Sequence, residues 1–205
     1  MADRTDIPLF YSNDIIARYN IKDRLSEYID AALEYNRKVN IVSRETSRPD
    51  LLRIAADSLI PFEFGAKLGG RFFDIGSGGG FPAIVILLAF PDAEAVLFER
   101  TGKKARFLEE ITRALGLRAE IASRDFGEVY ATFKNKSFDS GTMKLVRPER
   151  RLMRGAHRLV RRGGNFIYYG GPERYDPSIS DFAKNPSFRY YLDENKQLRS
   201  LTIFS

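Results

Sequence analysis

The sequence contains no cysteine, which excludes disulfides, thiolate metal sites and cysteine nucleophiles. Its single histidine, His157, leaves little material for a zinc site or a serine-histidine triad. No run of about 18 apolar residues offers a membrane span. The opening MADRTDIPLF lacks the charged-then-apolar layout of a secretory signal, so the expected location is cytoplasmic. Acidic charge is in deficit: 33 Lys and Arg against 27 Asp and Glu leave a formal charge of +6, with a pI near 9.5. Net charge bears on partners and not on fold, and this sign favours a polyanion. The excess is concentrated between Lys144 and Arg162, where eight basic residues face one acid, Glu149.

What is present is a chain of 205 residues with 43% hydrophobic content, enough for one domain with a small appendage. Ile15, Ile16, Tyr19, Leu25, Ile29 and Leu33 recur at helical spacing and predict helix from about Ser12 to Asn36, with Ser12 or Asn13 as cap. A second helix is expected over Leu51 to Leu59. After Gly69-Gly70 the pattern changes to apolar runs alternating with helical stretches. The strands are RFFDIG, AVLFER, AEIAS, SGTMKLV and NFIYYGG. The helices cover Pro82 to Phe90, Lys103 to Leu115 and Pro148 to Val160. Such alternation implies a parallel sheet covered on both faces. SFRYYLD and LRSLTIFS, flanking the turn-prone ENKQ, predict an antiparallel hairpin at the sheet edge. The expected organisation is an α/β protein with an N-terminal helical extension over 1–68 and a Rossmann-like domain over 69–205.

The densest glycine segment is RFFDIGSGGGFPAI, a strand delivered into a glycine turn that opens a helix. Nucleotide-like ligands bind at such places, outside the carboxyl ends of strands. A dinucleotide fingerprint needs a glycine at the sixth position, where Phe81 stands, and no Gly-Lys-Ser/Thr follows for a phosphate loop. The observed Gly76-x-Gly78-x-Gly80, preceded by Asp74 and including Ser77, resembles the first motif of class I S-adenosylmethionine-dependent methyltransferases. Glu99, about 20 residues further on, has two oxygens for two ribose hydroxyls. Asp125 is a candidate acceptor for an adenine amine or a plain helix cap, and Phe126 or Phe81 is a candidate for packing on the ring.

With these residues placed, the chain resembles the RsmG (GidB) family, which methylates N7 of a guanine in small-subunit ribosomal RNA. The resemblance runs through YNRKVNIVS with Asn36 and Asn40, Asp57-Ser58, DIGSGGGFPAI, FERTGKKARFLEEI, Arg124 and Gly170-Gly171. It implies S-adenosyl-L-methionine as cofactor, with contacts at Gly76, Phe81, the Asp125-Phe126 pair and Lys144. It also implies ribosomal RNA or the small ribosomal subunit as partner, no metal, no membrane and a monomer. Three positions depart from the family pattern. Ile54 stands where a histidine is usual, Asp125-Phe126 replaces Ala-Glu, and Lys144-Leu145 replaces Arg-Ala. An arginine fork thereby becomes a point charge.

Guanine N7 carries a lone pair and no proton, so its methylation needs no general base, which suits a chain this poor in histidine. Arg124 and Lys144 are the candidate catalytic residues, donating to guanine O6 or to a phosphate. On a helical wheel Arg147, Arg150, Arg151, Arg154, Arg158, Arg161 and Arg162 fall within about 120°, so Arg147, Arg151, Arg154 and Arg158 are candidate RNA contacts. A solvated outer helix would look the same. Other acceptors on the same fold, a cofactor-binding protein without catalysis and, more distantly, a dinucleotide oxidoreductase remain open at this point.

Overall fold

The computed structural model describes residues 7–174, 177–183, 186–193 and 197–205. Period-two alternation in the central strands sorts the core into two layers. In β2 (Arg71–Ile75), Phe72 faces one layer while Phe73 and Ile75 face the other. In β3 (Glu94–Phe98), Ala95 and Leu97 join the Phe72 side, and Val96 and Phe98 the Phe73 side. Both faces are therefore apolar, as a strand covered on two sides requires.

The other strands are β1 (Leu9–Phe10), β4 (Ala119–Ala122), β5 (Phe138–Lys144), β6 (Val160–Tyr169), β7 (Ser187–Leu192) and β8 (Leu198–Phe204). They form one sheet in the order β1-β7-β8-β6-β5-β2-β3-β4, with β8 alone running against its neighbours. The expected hairpin exists, but its second strand lies inside the sheet beside β6. The edge belongs to β1, whose Leu9 and Phe10 pair in parallel with Tyr191 and Leu192. A two-residue strand leaves no periodicity in a sequence, which is why β1 was not expected. Residues 194–196 of the hairpin turn lie outside the described residues.

Five helices cover the Phe72 face: α1 (Ser12–Arg18), α2 (Lys22–Asn36), α3 (Arg48–Glu63), α4 (Ala83–Ala89) and α5 (Gly102–Ala114). The opposite face carries α6 (Phe126–Val129) and α7 (Arg150–Leu159). The single helix expected over 12–36 is broken at Asn20, whose φ of 52° is left-handed. Ser12 caps nothing. Its N–H and hydroxyl donate instead to the two carboxylate oxygens of Asp193, at 2.8 and 2.6 Å, tying α1 to the end of β7. α3 starts three residues earlier than expected because Ser47 and Asp50 form a reciprocal capping box. Among the described residues no helix is long and apolar enough to cross a membrane, and no group of acidic and histidine side chains is arranged to hold a metal.

The arginine wheel is corrected by the boundaries of α7. Arg147 precedes the helix, and Arg161 and Arg162 lie in β6, where Arg161 pairs with Asp139. Only Arg150, Arg151, Arg154 and Arg158 are on the helix itself, because the backbone turns extended at Val160 (ψ 128°).

Candidate functional site

The carboxyl ends of β2, β3, β4 and β5 open on a cleft of about 860 Å³, the place where open α/β sheets take ligands. After Ile75 the chain turns back through the glycine loop, and the N–H groups of Gly76 and Ser77 both donate to the carbonyl of Phe98, at 2.9 and 3.0 Å. Gly76 has φ 72°, and a β-carbon there would lie 2.5 Å from the Cγ2 of Val146. Gly80 has φ 96°, with room denied by Ile84 and the hydroxyl of Tyr28. At these two positions the loop's path requires glycine. The Tyr28 hydroxyl donates to the carbonyl of Gly79 at 2.6 Å, so α2 holds the loop from behind.

Asn36, at the end of α2, organises a second wall. Its side-chain oxygen accepts from the N–H groups of Ile41 and Val42, and its amide donates to the carbonyl of Ser43. The three residues so positioned line the cleft.

Glu99 lies at the end of β3, 6% exposed. One oxygen accepts from Gly78 N–H at 2.8 Å and the other from Thr101 N–H at 2.7 Å. A carboxylate has about four acceptor sites, so each oxygen keeps capacity for one more donor, such as a ribose hydroxyl. Open backbone at Gly78, where a β-carbon would meet nothing nearer than the Gly76 carbonyl oxygen at 3.7 Å, and this spare capacity at Glu99 fit an adenosyl group. Gly76, Ser77, Gly78, Phe81, Glu99, Asp125, Phe126 and Lys144 all line the cleft.

Asp74 and Gly80, expected as direct contacts, are not on the cleft wall. Asp74 is 1% exposed beneath the loop, where one oxygen accepts from Thr142 Oγ1 at 2.6 Å and Oδ2 has no partner. Burial pushes its carboxyl up to about 6; bonds from Thr142 and Ser77 oppose the rise and the charge of Glu99 adds to it. Raised above the unfolded value, this group favours folding at low pH, and its contribution is lost as pH rises through about 6. Asp74→Asn should therefore flatten the fall in melting temperature between about pH 4 and about pH 6. An unchanged slope would show that Asp74 stays ionised in the folded chain.

Asp125 caps α6, accepting from Gly127 N–H at 2.9 Å, and also faces Arg151 and Arg100 at 3.5 and 3.8 Å. The Phe126 ring is in the core, stacked on Phe73 at 5.5 Å. Half-buried Phe81, packed on Tyr28, is then the aromatic side chain available to a purine.

Lys144 lines the cleft, yet its ammonium is directed at Asp57 Oδ2, 2.5 Å away, and sits 4.9 Å from the Tyr169 ring centroid. Asp57, 3% exposed on α3, also accepts from the Tyr190 hydroxyl at 2.6 Å and meets Arg199 at 3.1 Å. Burial alone would raise the Asp57 carboxyl, but the Lys144 and Arg199 charges and the bonds from Lys144 and Tyr190 leave it below its ordinary value. The sequence had marked Asp57 by resemblance only, and nothing local marks Arg199 as a cleft residue.

Arg124, by contrast, is exposed at the cleft with no ion-pair partner among the described residues. Arg147 and Arg151 are exposed on the cleft wall. Arg154 is exposed further along α7, and Arg158 donates to the carbonyl of Ala131. Seven basic side chains line the cleft against Glu99, Asp125 and Glu149. Beside them Leu145 adopts φ 58° and is 87% exposed, a conformation that costs a non-glycine residue about 1–2 kcal/mol.

Residues 21–192 match the family model GidB, rRNA small subunit methyltransferase G. Ribosomal RNA small subunit methyltransferase G of Chlorobium luteolum is 33% identical over 147 residues, which span 69% of this chain and 59% of the relative. The protein of the same description from Nitrobacter hamburgensis is 33% identical over 153 residues, 73% of this chain and 58% of the relative. The chain thus covers under two thirds of the length of both curated relatives. Among solved structures, a SAM dependent methyltransferase from Aquifex aeolicus superposes with a TM-score of 0.57 at 12% identity, covering 76% of this chain and 92% of that one. At that identity the likeness bears on the fold alone.

Proposed function

The chain belongs to the GidB family of rRNA small subunit methyltransferase G proteins, and from that premise we propose that it methylates N7 of a guanine in small-subunit ribosomal RNA, using S-adenosyl-L-methionine. The observation that carries the reading is the convergence, on one basic cleft, of a glycine loop, a carboxylate with spare acceptor capacity and an arginine with no ion-pair partner among the described residues. The helices before residue 69 form an extension of the catalytic domain at 69–205, and the protein acts as a cytoplasmic monomer.

When bound, S-adenosyl-L-methionine supplies a methyl group activated on a sulfonium. The open backbone of Gly78 in the loop that begins at Gly76 would admit it, Glu99 would accept its ribose hydroxyls, and Phe81 would pack on its purine. Arg124 would donate to O6 of the acceptor guanine or to its phosphate and so orient that base in the cleft. N7 has no proton, so no side chain has to hold or move one. Arg147, Arg151 and Arg154 take backbone phosphates, which makes binding salt-sensitive.

Incubation with labelled S-adenosyl-L-methionine and small ribosomal subunits lacking the modification should place label on a guanine N7 of the RNA. Label on protein or small molecules, or none, overturns the reading. Arg124→Ala should lower the transfer rate by about 100-fold or more with cofactor affinity nearly intact. A joint fall would assign Arg124 to cofactor binding. A second reading, a cofactor-binding RNA-associated protein without transfer, is favoured by the pairing of Lys144 with Asp57. It predicts binding of both ligands and no label.

A further inference from the structure

Two anchored residues bracket one that is not anchored. Lys144 is held beneath the cleft by Asp57, and Val146 sits over the bare α-carbon of Gly76. Between them Leu145 is 87% exposed in the left-handed region, whereas the other large apolar side chains exposed among the described residues, Leu9, Tyr11 and Leu198, are 43–45% exposed. A leucine gains nothing from water in that conformation, and such a backbone persists only where its neighbours determine it. Here the two anchors do so. Their effect is to present one alkyl group on the cleft that Arg124, Arg147 and Arg151 also line.

A lone apolar side chain among guanidinium groups is not the broad apolar patch that a protein partner would use. It matches the surface of a stacked nucleic acid, where an apolar wedge enters between bases while arginines meet phosphates. In an A-form helix the major groove that carries N7 is deep and narrow, so a guanine there has to leave the stack before its N7 can enter the cleft. Resting on the RNA methyltransferase reading above, we propose that Leu145 is a wedge that enters the base stack of the acceptor RNA beside the target guanine and holds that base out in the cleft.

The test uses the full chain and small ribosomal subunits lacking the modification. Leu145→Gly deletes the wedge and relieves the left-handed backbone. It should lower kcat by about tenfold or more, with KM and S-adenosyl-L-methionine affinity little changed and a melting temperature equal to or above the parent's. Leu145→Met, which keeps an apolar side chain of similar volume, should recover most of the rate. A parent-like kcat in the glycine variant overturns the wedge, as does a loss that methionine does not recover or a parallel fall in cofactor affinity. The parent chain is the control for the function itself: if it leaves no label on RNA, the methyltransferase reading has failed, and the wedge with it.

Discussion

Asp57→Ala should destabilise the protein by about 3–5 kcal/mol, because it strands two cations that have already left water. Lys144 has a side chain only 8% exposed and Arg199 one 27% exposed, and Asp57 is the carboxylate that both of them face. The Tyr190 hydroxyl loses its acceptor in the same change. For a chain of this length the expected fall in melting temperature is on the order of 10 °C. The network also dictates a pH dependence. Since the Asp57 carboxyl titrates below its ordinary value, its stabilising contribution is present above the usual carboxylate range and disappears as acid approaches the depressed value. Thermal melts of the variant and parent at neutral and acid pH would read both effects. A neutral-pH loss below about 1 kcal/mol, the worth of a solvated surface pair, would mean that water reaches these groups.

Glu99→Ala should reduce S-adenosyl-L-methionine affinity by about 100-fold or more, since two hydrogen bonds to a charged acceptor are lost, each worth roughly 1.5–3 kcal/mol. The same substitution frees the N–H groups of Gly78 and Thr101, so the side-chain link between the glycine loop and the entrance to α5 is lost, while the bonds of Gly76 and Ser77 to Phe98 of β3 remain. Calorimetric titration separates the two consequences when Glu99→Gln is measured alongside. The amide keeps one acceptor and the side chain's shape, so its loss should be smaller and its fold stability closer to the parent's. If Glu99→Ala binds within about tenfold of the parent, the ribose is held elsewhere and the assignment of this carboxylate is wrong.

Local chemistry made part of this arrangement legible in advance. The glycine loop and Glu99 could be placed together from sequence because each follows a strand end, and both line the cleft. Helix α5 lies within a residue of its expected limits because its apolar spacing is unbroken. What could not be read depends on distant partners. Asn20 gives no sign that it will adopt φ 52° and split a helix. Leu9 and Phe10 become a strand only because β7 offers an edge. Arg161 and Arg162 continue the arginine spacing of α7 but belong to β6, within the irregular stretch between its pairings with β5 at Val160 and Asn165. Lys144 was placed in the cleft by its position on β5; its attachment to Asp57, 87 residues away, is tertiary.

The Asp57 network also has a consequence for the order in which the protein can be finished. Asp57 and Lys144 are available midway through vectorial synthesis, but Tyr190, 133 residues after Asp57, and Arg199 are not. Until β7 and β8 have been made and inserted beside β6, the buried pair has only half of its partners, and the Arg199 wall of the cleft does not exist. Contacts of such long range are formed late. The bonds that hold the glycine loop to Tyr28, Phe98 and Glu99 can therefore form on the nascent chain before the Arg199 side of the cleft has been made.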